Sequence, residues 1–310
     1  MGKIAVLFPG QGSQYVGMGQ DIYQEHQQSK QIFDLADKSL NYKLSNICFN
    51  GPEEELKKTE ITQPAILTVC MALYEALKVK GVKPNATAGL SLGEYCSLVA
   101  AGIISFEEAV VLVQKRGKYM QEAVPFGVGT MAAIIGLDAD AINDICQQVE
   151  GIAEVANYNC PGQIVIGGEV ESVEKACKLC LEKGAKKAVK LAVSAPFHTS
   201  MLQPAKELLA EELTKVNLNK ATMPVVSSVT GDFISEKTEV KDLLALQVCS
   251  SVQWEKAMHT LLNEGFDIFI EVGPGKTLRS FMRRINKKVK VLNVYDNETL
   301  NKAIESLEAN

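Results

Sequence analysis

Gly89-Leu90-Ser91-Leu92-Gly93 sets a serine between two glycines, after a short apolar stretch and ahead of an apolar helical one. Small residues at those two positions let a strand turn sharply into a helix and lift the hydroxyl above the sheet. The first N–H groups of the helix then face whatever the hydroxyl attacks. Ordinary strand-to-helix turns share this five-residue pattern, so it needs partners elsewhere. A serine nucleophile needs a base, and the chain offers three histidines. His26 stands among Gln24, Glu25, Gln27 and Gln28 and reads as part of a solvated helix face. His259 falls beside an apolar stripe of Trp254, Ala257, Met258, Leu261 and Leu262. His198 follows Pro196-Phe197 in a loop that leaves a strand and precedes a helix, the kind of position on which catalysis is built. Elimination leaves Ser91 with His198, the imidazole taking the Oγ proton. In the usual serine-hydrolase order an acidic third member would lie between them, and no Asp or Glu there stands out. A backbone or amide carbonyl would orient the ring equally well.

Arginine is scarce: Arg116, Arg279, Arg283 and Arg284, against lysine everywhere else. On a helical wheel of residues 105–123 the inward stripe is Phe106, Ala109, Val110, Val113, Gly117 and Met120, with Arg116 on its edge. A guanidinium there needs a planar anionic partner. Two readings stay open: a clamp for a substrate carboxylate, or a structural ion pair with an acid remote in sequence. Gln11, in the loop Pro9-Gly10-Gln11-Gly12-Ser13-Gln14, is equally open. Its backbone N–H could pair with that of Leu92 to hold an oxyanion, or the loop is a plain Gly-rich turn. A dinucleotide fingerprint is excluded, because its third glycine would fall at Tyr15.

The elements that must carry these residues alternate. Residues 1–8 read as a first strand. Helical patterns follow at 21–28, 30–40 and 52–57, and a longer one runs from after Thr62-Gln63-Pro64 to Lys80, closed by Gly81. Ser105 caps a helix reaching about Ala123. Pro125-Phe126-Gly127-Val128-Gly129 marks a seam, beyond which strands at 130–135, 153–157, 163–167 and 187–191 and helices at 139–149 and 170–183 give a β-α-β-β-α-β order. That is the split ferredoxin-like arrangement, and it reads as an inserted subdomain. A helix at 202–215, a strand at 223–227, two more helices, a strand at 267–272, the turn Gly273-Pro274-Gly275, a helix, a strand at 289–294 and a last helix close the chain. Strand–helix alternation in the outer parts argues for a parallel sheet covered on both faces.

The 310 residues suffice for one large domain carrying a smaller one, and 46% apolar with 22% charged residues can fill a core. A net charge of −5 gives no field that invites nucleic acid. No run of eighteen apolar residues occurs and the first eight residues are too short for a signal peptide, so a cytoplasmic protein is expected. The eight cysteines are scattered. Only Cys177 and Cys180 share C-x-x-C spacing, without a second pair, so reduced packed thiols are expected and no metal site.

Taken in order, the motifs resemble the malonyl-CoA:acyl carrier protein transacylase family. They are Phe8-Pro9-Gly10-Gln11-Gly12-Ser13-Gln14, Thr62-Gln63-Pro64-Ala65, the serine turn with Glu94-Tyr95, Arg116-Gly117, Asn157-Tyr158-Asn159-Cys160-Pro161-Gly162-Gln163, Pro196-Phe197-His198, Gln247 with Val252-Gln253-Trp254, and Glu271-Val272-Gly273-Pro274-Gly275. Each is weak alone; the ordered set spans essentially the whole chain. The resemblance implies an α/β fold: an α/β-hydrolase-like parallel-sheet large subdomain over 1–125 and 197–310, and an inserted ferredoxin-like small subdomain over 126–196. It implies Ser91 as the nucleophile that takes a malonyl group from malonyl-CoA and passes it to the phosphopantetheine thiol of acyl carrier protein, with ping-pong kinetics and no cofactor. His198 would be base and then acid, Gln247 and a main-chain carbonyl near Ser250 would orient it, and the N–H groups of Gln11 and Leu92 would hold the oxyanion. Arg116 would grip the malonyl carboxylate. Phe197, next to the base, accompanies malonyl in related polyketide acyltransferases, and one methyl in a pocket is worth only about 1–3 kcal/mol, so it implies preference rather than exclusion.

The chain departs from the family at Leu90, where relatives usually carry His, and at Ser250-Ser251, where they carry Asn-Pro. Fatty-acid synthesis is the expected setting. A freestanding polyketide acyltransferase or an acyl hydrolase on the same fold is the alternative, and a catalytically silent docking subunit is disfavoured by the intact Ser91, His198 and Arg116. A monomer is expected that binds neither nucleic acid nor membrane. Lys186, Lys187 and Lys190 are candidates to meet an acidic carrier protein, or simply a solvated lysine face.

Overall fold

The structure, a computed structural model, describes residues 2–193 and 195–309. Met1, read above into the first strand, and Ser194, within the 126–196 range, lie outside them. Strand β1 (Lys3–Phe8), helices α1 (Gln20–Glu25), α2 (Gln27–Leu40), α3 (Leu44–Asn50), α4 (Glu53–Leu56) and α5 (Thr59–Val79) lead to β2 (Ala86–Gly89), α6 (Leu92–Ala100) and α7 (Phe106–Glu122). Then come β3 (Gly129–Ile135), α8 (Ala139–Gln148), β4 (Ala153–Cys160), β5 (Gln163–Glu169), α9 (Val170–Glu182) and β6 (Lys187–Lys190). Helix α10 (Gln203–Thr214), β7 (Val225–Val226), α11 (Glu239–Gln247), α12 (Trp254–Asn263), β8 (Phe266–Val272), α13 (Thr277–Ile285), β9 (Lys290–Val294) and α14 (Asn297–Glu308) follow.

Alternation along β1 shows how the large sheet is packed. Val6 and Phe8 enter the main core with α5, while Ala5 and Leu7 face a second core with Trp254, Met258 and Phe281 of α12 and α13. Residues two apart share a face of a strand, so a strand buried on both sides must be apolar throughout. Strand β8 repeats the division with Ile270 and Val272 against Phe269. The sheet is parallel throughout, in the order β7-β2-β1-β8-β9. From β1 the chain builds outward first through β2 and β7 and later through β8 and β9. The carboxyl ends of β1 and β8 therefore border the place where the order reverses, where such sheets form their crevice, and β2 ends beside β1 on the other flank.

The second sheet, β4-β5-β3-β6, is antiparallel. With α8 and α9 against it, that order is the ferredoxin-like one expected. Ala132 and Ile134 pack under Ile142, Ile145 and Val173 of those helices, whereas Met131, Ala133, Ala156 and Val165 turn to the main core. The fold is thus α/β, a parallel-sheet hydrolase-like part and a smaller antiparallel part inserted between α7 and α10. Main-chain bonds stitch the two: Tyr158 N–H donates to the Val252 carbonyl at 2.9 Å and Val252 N–H to that of Ala156 at 2.8 Å. No helix among the described residues is long and apolar enough to cross a membrane.

Element boundaries differ from the sequence reading where polar side chains substitute for the expected pattern. Helix α5 starts at Thr59 rather than after Pro64, and Pro64 lies inside it. A proline in the second turn removes one N–H bond, while Thr62 Oγ1 donates to the Leu56 carbonyl at 2.6 Å and ties the helix start down. The reading also passed over α3, which buries only Leu44 and Cys48 and so carries little periodic signal. Strand β7 shrinks to two residues after Pro224, which cannot donate to a ladder.

Candidate active site

Ser91 follows β2 at the sheet's carboxyl end, with φ 54° and ψ −107°. A non-glycine residue there carries strain of about 1–3 kcal/mol, which the surroundings must impose. The two glycines do so by allowing contact: a Cβ on Gly89 would fall 1.8 Å from the Gly93 carbonyl carbon, and one on Gly93 would fall 2.1 Å from the Phe8 carbonyl oxygen. Only hydrogen fits at either position, which is why the elbow can close on β1. His198, in the loop that returns from the small subdomain, also holds a positive φ, 63°. Thr199 Oγ1 donates to the Pro196 carbonyl at 2.7 Å, and Ser200 donates through its N–H (2.7 Å) and hydroxyl (2.5 Å) to Glu154 of β4. The loop is pinned on both sides of the histidine.

These two restrained residues meet: Ser91 Oγ lies 2.7 Å from His198 Nε2. The other ring nitrogen, Nδ1, lies 2.8 Å from the main-chain carbonyl oxygen of Gln247, at the end of α11. That carbonyl makes Nδ1 the protonated nitrogen and leaves Nε2 free to accept the serine proton. Burial, and next the charge of Arg116, push His198 down to about 4 against the upward pull of the Gln247 and Ser250 main chains. At neutral pH the imidazole is uncharged, the state a general base needs.

Arg116 reaches the same hydroxyl. Helix α7 is started by Ser105, whose Oγ accepts the Glu108 N–H at 3.2 Å. Three turns on, Arg116 is 1% exposed, with Nη2 3.1 Å from Ser91 Oγ and 2.8 Å from Gln247 Oε1, and Nη1 2.8 Å from Gln63 Oε1. Its guanidinium also lies 5.4 Å over the Tyr95 ring. The structural ion pair left open above is absent, since among the described residues no carboxylate lies within ion-pair distance of Arg116. Neutral amide oxygens make its direct contacts, and Glu94 acts on it only through the intervening amide; burial lowers its proton affinity, but a guanidinium remains protonated regardless. Its Nε–H is buried without an acceptor among the described residues.

The remaining expected residues fall nearby with different roles available to them. Leu90 N–H donates to the Phe8 carbonyl at 3.0 Å, which lays the loop after β1 against the elbow. Neither the Gln11 nor the Leu92 amide donates to another protein group among the described residues. Gln11 uses its side chain on Thr59 Oγ1 at 3.5 Å. Gln247 contacts His198 through its main chain alone; its amide side chain serves Arg116 instead. Phe197 is buried in the main core. Leu90 packs with the second core, its methyl beside Gly10, so the neighbour of Ser91 is apolar. At the other departure, Ser251 Oγ donates to the Val155 carbonyl of β4. His26 and His259 lie away from the site; His26 is half-buried with Nε2 2.8 Å from Asn297 Oδ1, not on a solvated face. Lys190 pairs with Glu174 at 3.6 Å, and Lys186 and Lys187 are exposed. All eight cysteines are free thiols, and no metal-holding cluster of His, Cys, Asp or Glu occurs among the described residues.

Three residues at the centre were not singled out from sequence: Gln63, Glu94 and Ser228. Gln63 and Glu94 stood in the quoted motifs without a role of their own, Gln63 at an expected helix boundary and Glu94 beside the serine turn, and both are at most 1% exposed. Nothing in the sequence marked Ser228.

The chain resembles known proteins over nearly its whole length. The family described as "Acyl transferase domain" matches residues 6–303. The malonyl CoA-acyl carrier protein transacylase of Bacillus subtilis (strain 168) is 47% identical over 99% of this chain and 98% of its own length. The crystal structure of malonyl CoA-acyl carrier protein transacylase from Clostridium perfringens ATCC 13124 superposes with a TM-score of 0.97 at 46% identity, covering 99% of this chain and 98% of that one. A malonyl-transacylase solved in complex with a type II PKS acyl-carrier protein gives 0.96 at 39% identity, over 98% and 99% of the two chains.

Proposed function

Because the chain belongs to the acyl transferase domain family, we infer that its site moves a malonyl group from malonyl-CoA, through an ester on Ser91, to the phosphopantetheine thiol of an acyl carrier protein. One observation carries this reading: the Ser91 hydroxyl lies 2.7 Å from a neutral imidazole and 3.1 Å from a buried guanidinium that makes no ion pair with a carboxylate among the described residues. A serine hydrolase needs the first contact. The second suits an acyl group that carries its own carboxylate, one methylene away from the thioester. The buried Nε–H is a donor without an acceptor among the described residues, and unfilled buried donors call for a ligand.

Ser91 Oγ attacks the thioester carbonyl while His198 Nε2 takes its proton. The oxyanion so formed is held by the Gln11 and Leu92 N–H groups, the latter at the start of α6 where the helix dipole is positive. Collapse expels the CoA sulfur, which leaves with the proton from His198. The carrier's thiol then gives its proton to His198 and attacks the malonyl ester, and a second collapse breaks the ester bond, Ser91 Oγ taking that proton back from His198. Throughout, Arg116 holds the distal carboxylate, and Phe197 narrows the acyl site beside the base, favouring malonyl over branched analogues. The Gln247 main-chain carbonyl takes the place of an acidic third member. Its neutrality is consistent with a base whose proton affinity is low, because no anion stabilises the imidazolium.

The chemistry needs no cofactor, and we place it in the cytoplasm, in fatty-acid synthesis. The experiment is the mass of the intact protein after mixing with malonyl-CoA. A malonyl adduct is expected on the unsubstituted enzyme and absent from Ser91→Ala; an adduct retained by Ser91→Ala ends the nucleophile assignment. Adding carrier protein should then convert the adduct to malonyl-carrier, and dominant release of free malonate in its presence would favour a hydrolase.

A further inference from the structure

Glu94, three residues after the nucleophile on α6, is a fully buried acid that the transfer chemistry above does not use. Its Oε2 accepts the Ser228 hydroxyl at 2.6 Å and a very short bond from Gln247 Nε2; its Oε1 is buried without a hydrogen-bond partner among the described residues. Gln247 Nε2 also lies 3.0 Å from Ser228 Oγ and 3.1 Å from the Ser91 carbonyl oxygen. On the far side of the same amide, Gln247 Oε1 accepts from Arg116 Nη2 at 2.8 Å. The amide therefore stands between an acid and a guanidinium, and only one of its two orientations satisfies both. Turned over, it would set its NH2 against the Arg116 cation and its oxygen against Glu94, with repulsion at both ends.

We propose that Glu94 is a positioning residue for the carboxylate clamp: by holding the Gln247 NH2 it keeps the amide oxygen on Arg116, and so keeps the guanidinium beside Ser91. The claim rests on the malonyl-transfer reading. It concerns the clamp and not the base, since His198 is held by the Gln247 main chain, which the end of α11 fixes independently. Loss of the acceptor at Glu94 lets the amide rotate, leaves Arg116 Nη2 with a hydrogen-bond donor facing it, and loosens the group that must meet the substrate carboxylate. Acetyl transfer, which has no such carboxylate, is spared.

The test compares KM and kcat for acyl-enzyme formation from malonyl-CoA and from acetyl-CoA in the unsubstituted enzyme, Glu94→Ala, Glu94→Gln and Ser228→Ala. Glu94→Ala should raise KM for malonyl-CoA by about tenfold or more, the worth of one lost hydrogen bond to a charged group, with kcat and the acetyl parameters little changed. Glu94→Gln keeps an acceptor oxygen for Ser228 and Gln247 and should restore a KM close to that of the unsubstituted enzyme. Ser228→Ala removes one of the two donors on Glu94 and should shift malonyl KM the same way by less. Equal effects on malonyl and acetyl, or a Glu94→Gln as impaired as Glu94→Ala, would overturn the proposal. If Glu94→Ala does not fold, an unchanged malonyl KM in Ser228→Ala overturns it. Failure of the unsubstituted enzyme to take malonyl from malonyl-CoA would sink the transfer reading itself, and the proposal with it.

Discussion

Gln63 is a neutral residue where an acid would be electrostatically better for the protein alone, and Gln63→Glu tests why. Its Oε1 lies 2.8 Å from Arg116 Nη1, in a site where both residues are at most 1% exposed. A carboxylate of the same shape would sit against the guanidinium at a charge separation of about 4 Å, worth about 4 kcal/mol of attraction at the effective dielectric of such sites. Part of that is offset by burying the new charge. An incoming malonyl carboxylate would meet a clamp already neutralised, with a second anion beside it. If about 3 kcal/mol of attraction is lost, kcat/KM for malonyl falls by about 10². Acetyl-CoA places no charge there and should react at nearly its original rate. Rapid-quench measurement of acyl-enzyme from the two thioesters, with thermal melting to show that the isosteric variant is folded, gives the ratio directly. A common loss for both substrates, or malonyl transfer that survives unchanged, refutes the argument that the clamp works because its protein partners are uncharged.

Arg116→Ala removes the clamp outright, and two charge-assisted hydrogen bonds are worth about 3–6 kcal/mol, so malonyl acylation should fall far more than acetyl acylation; equal losses would refute the carboxylate role. His198 sits at about 4 when folded, so the rate of acyl-enzyme formation should be flat from neutral pH down to about 5 and fall only as the imidazole gains its proton below that; a midpoint near the ordinary 6.5 would refute the neutral-base account. The same depression has a stability consequence: between the unfolded value near 6.5 and about 4 the unfolded chain binds the extra proton, so stability falls as pH is lowered through that window, by about 3 kcal/mol in all, and His198→Gln should flatten the melting-temperature profile there. Glu154→Ala cuts both bonds to Ser200 and should lower kcat for acylation while leaving malonyl KM near its original value; a change in KM with kcat intact would show that the loop serves binding and not the base.

The fold was legible because burial leaves a periodic trace. Val6 and Phe8 against Ala5 and Leu7 record two cores, and the β-α-β-β-α-β order announced the second sheet before its strand order could be known. That Ser91 and His198 would meet was legible by scarcity: with three histidines, context alone isolated His198. Arg116 was legible as an oddity on an apolar stripe, but not what held it, because the acid a buried arginine normally needs is replaced by two amides contributed 53 positions before and 131 positions after it. Gln63 was read as part of a helix boundary, since a Thr-Gln-Pro run ordinarily stops or starts a helix, whereas here α5 continues through it. Glu94 sat in plain view beside the serine. An acidic residue near a helix start has an ordinary dipole explanation, and only the fold shows its carboxylate turned inward to an amide from α11.

Ser91 and His198 both hold positive φ values, and they are two of only three non-glycine residues among those described that do. Their strain enters from opposite sides. Ser91 is bent by the contact of Gly93 with β1, so its conformation is set by the large sheet. His198 is bent in a loop whose anchors, Glu154 and the Gln247 carbonyl, lie one on the small subdomain and one on the large. The 2.7 Å contact between them is therefore fixed by the way the two parts are stitched through Val252, not by either part alone. In the proposed roles of nucleophile and base, a serine and histidine held this way need no rearrangement before proton transfer, and the cost is carried by the fold in advance. The same logic accounts for the neutral surroundings of the base. With the geometry imposed by backbone, no carboxylate is needed to aim the imidazole, and a carboxylate there would compete for Arg116 with the acyl group that the proposed clamp holds.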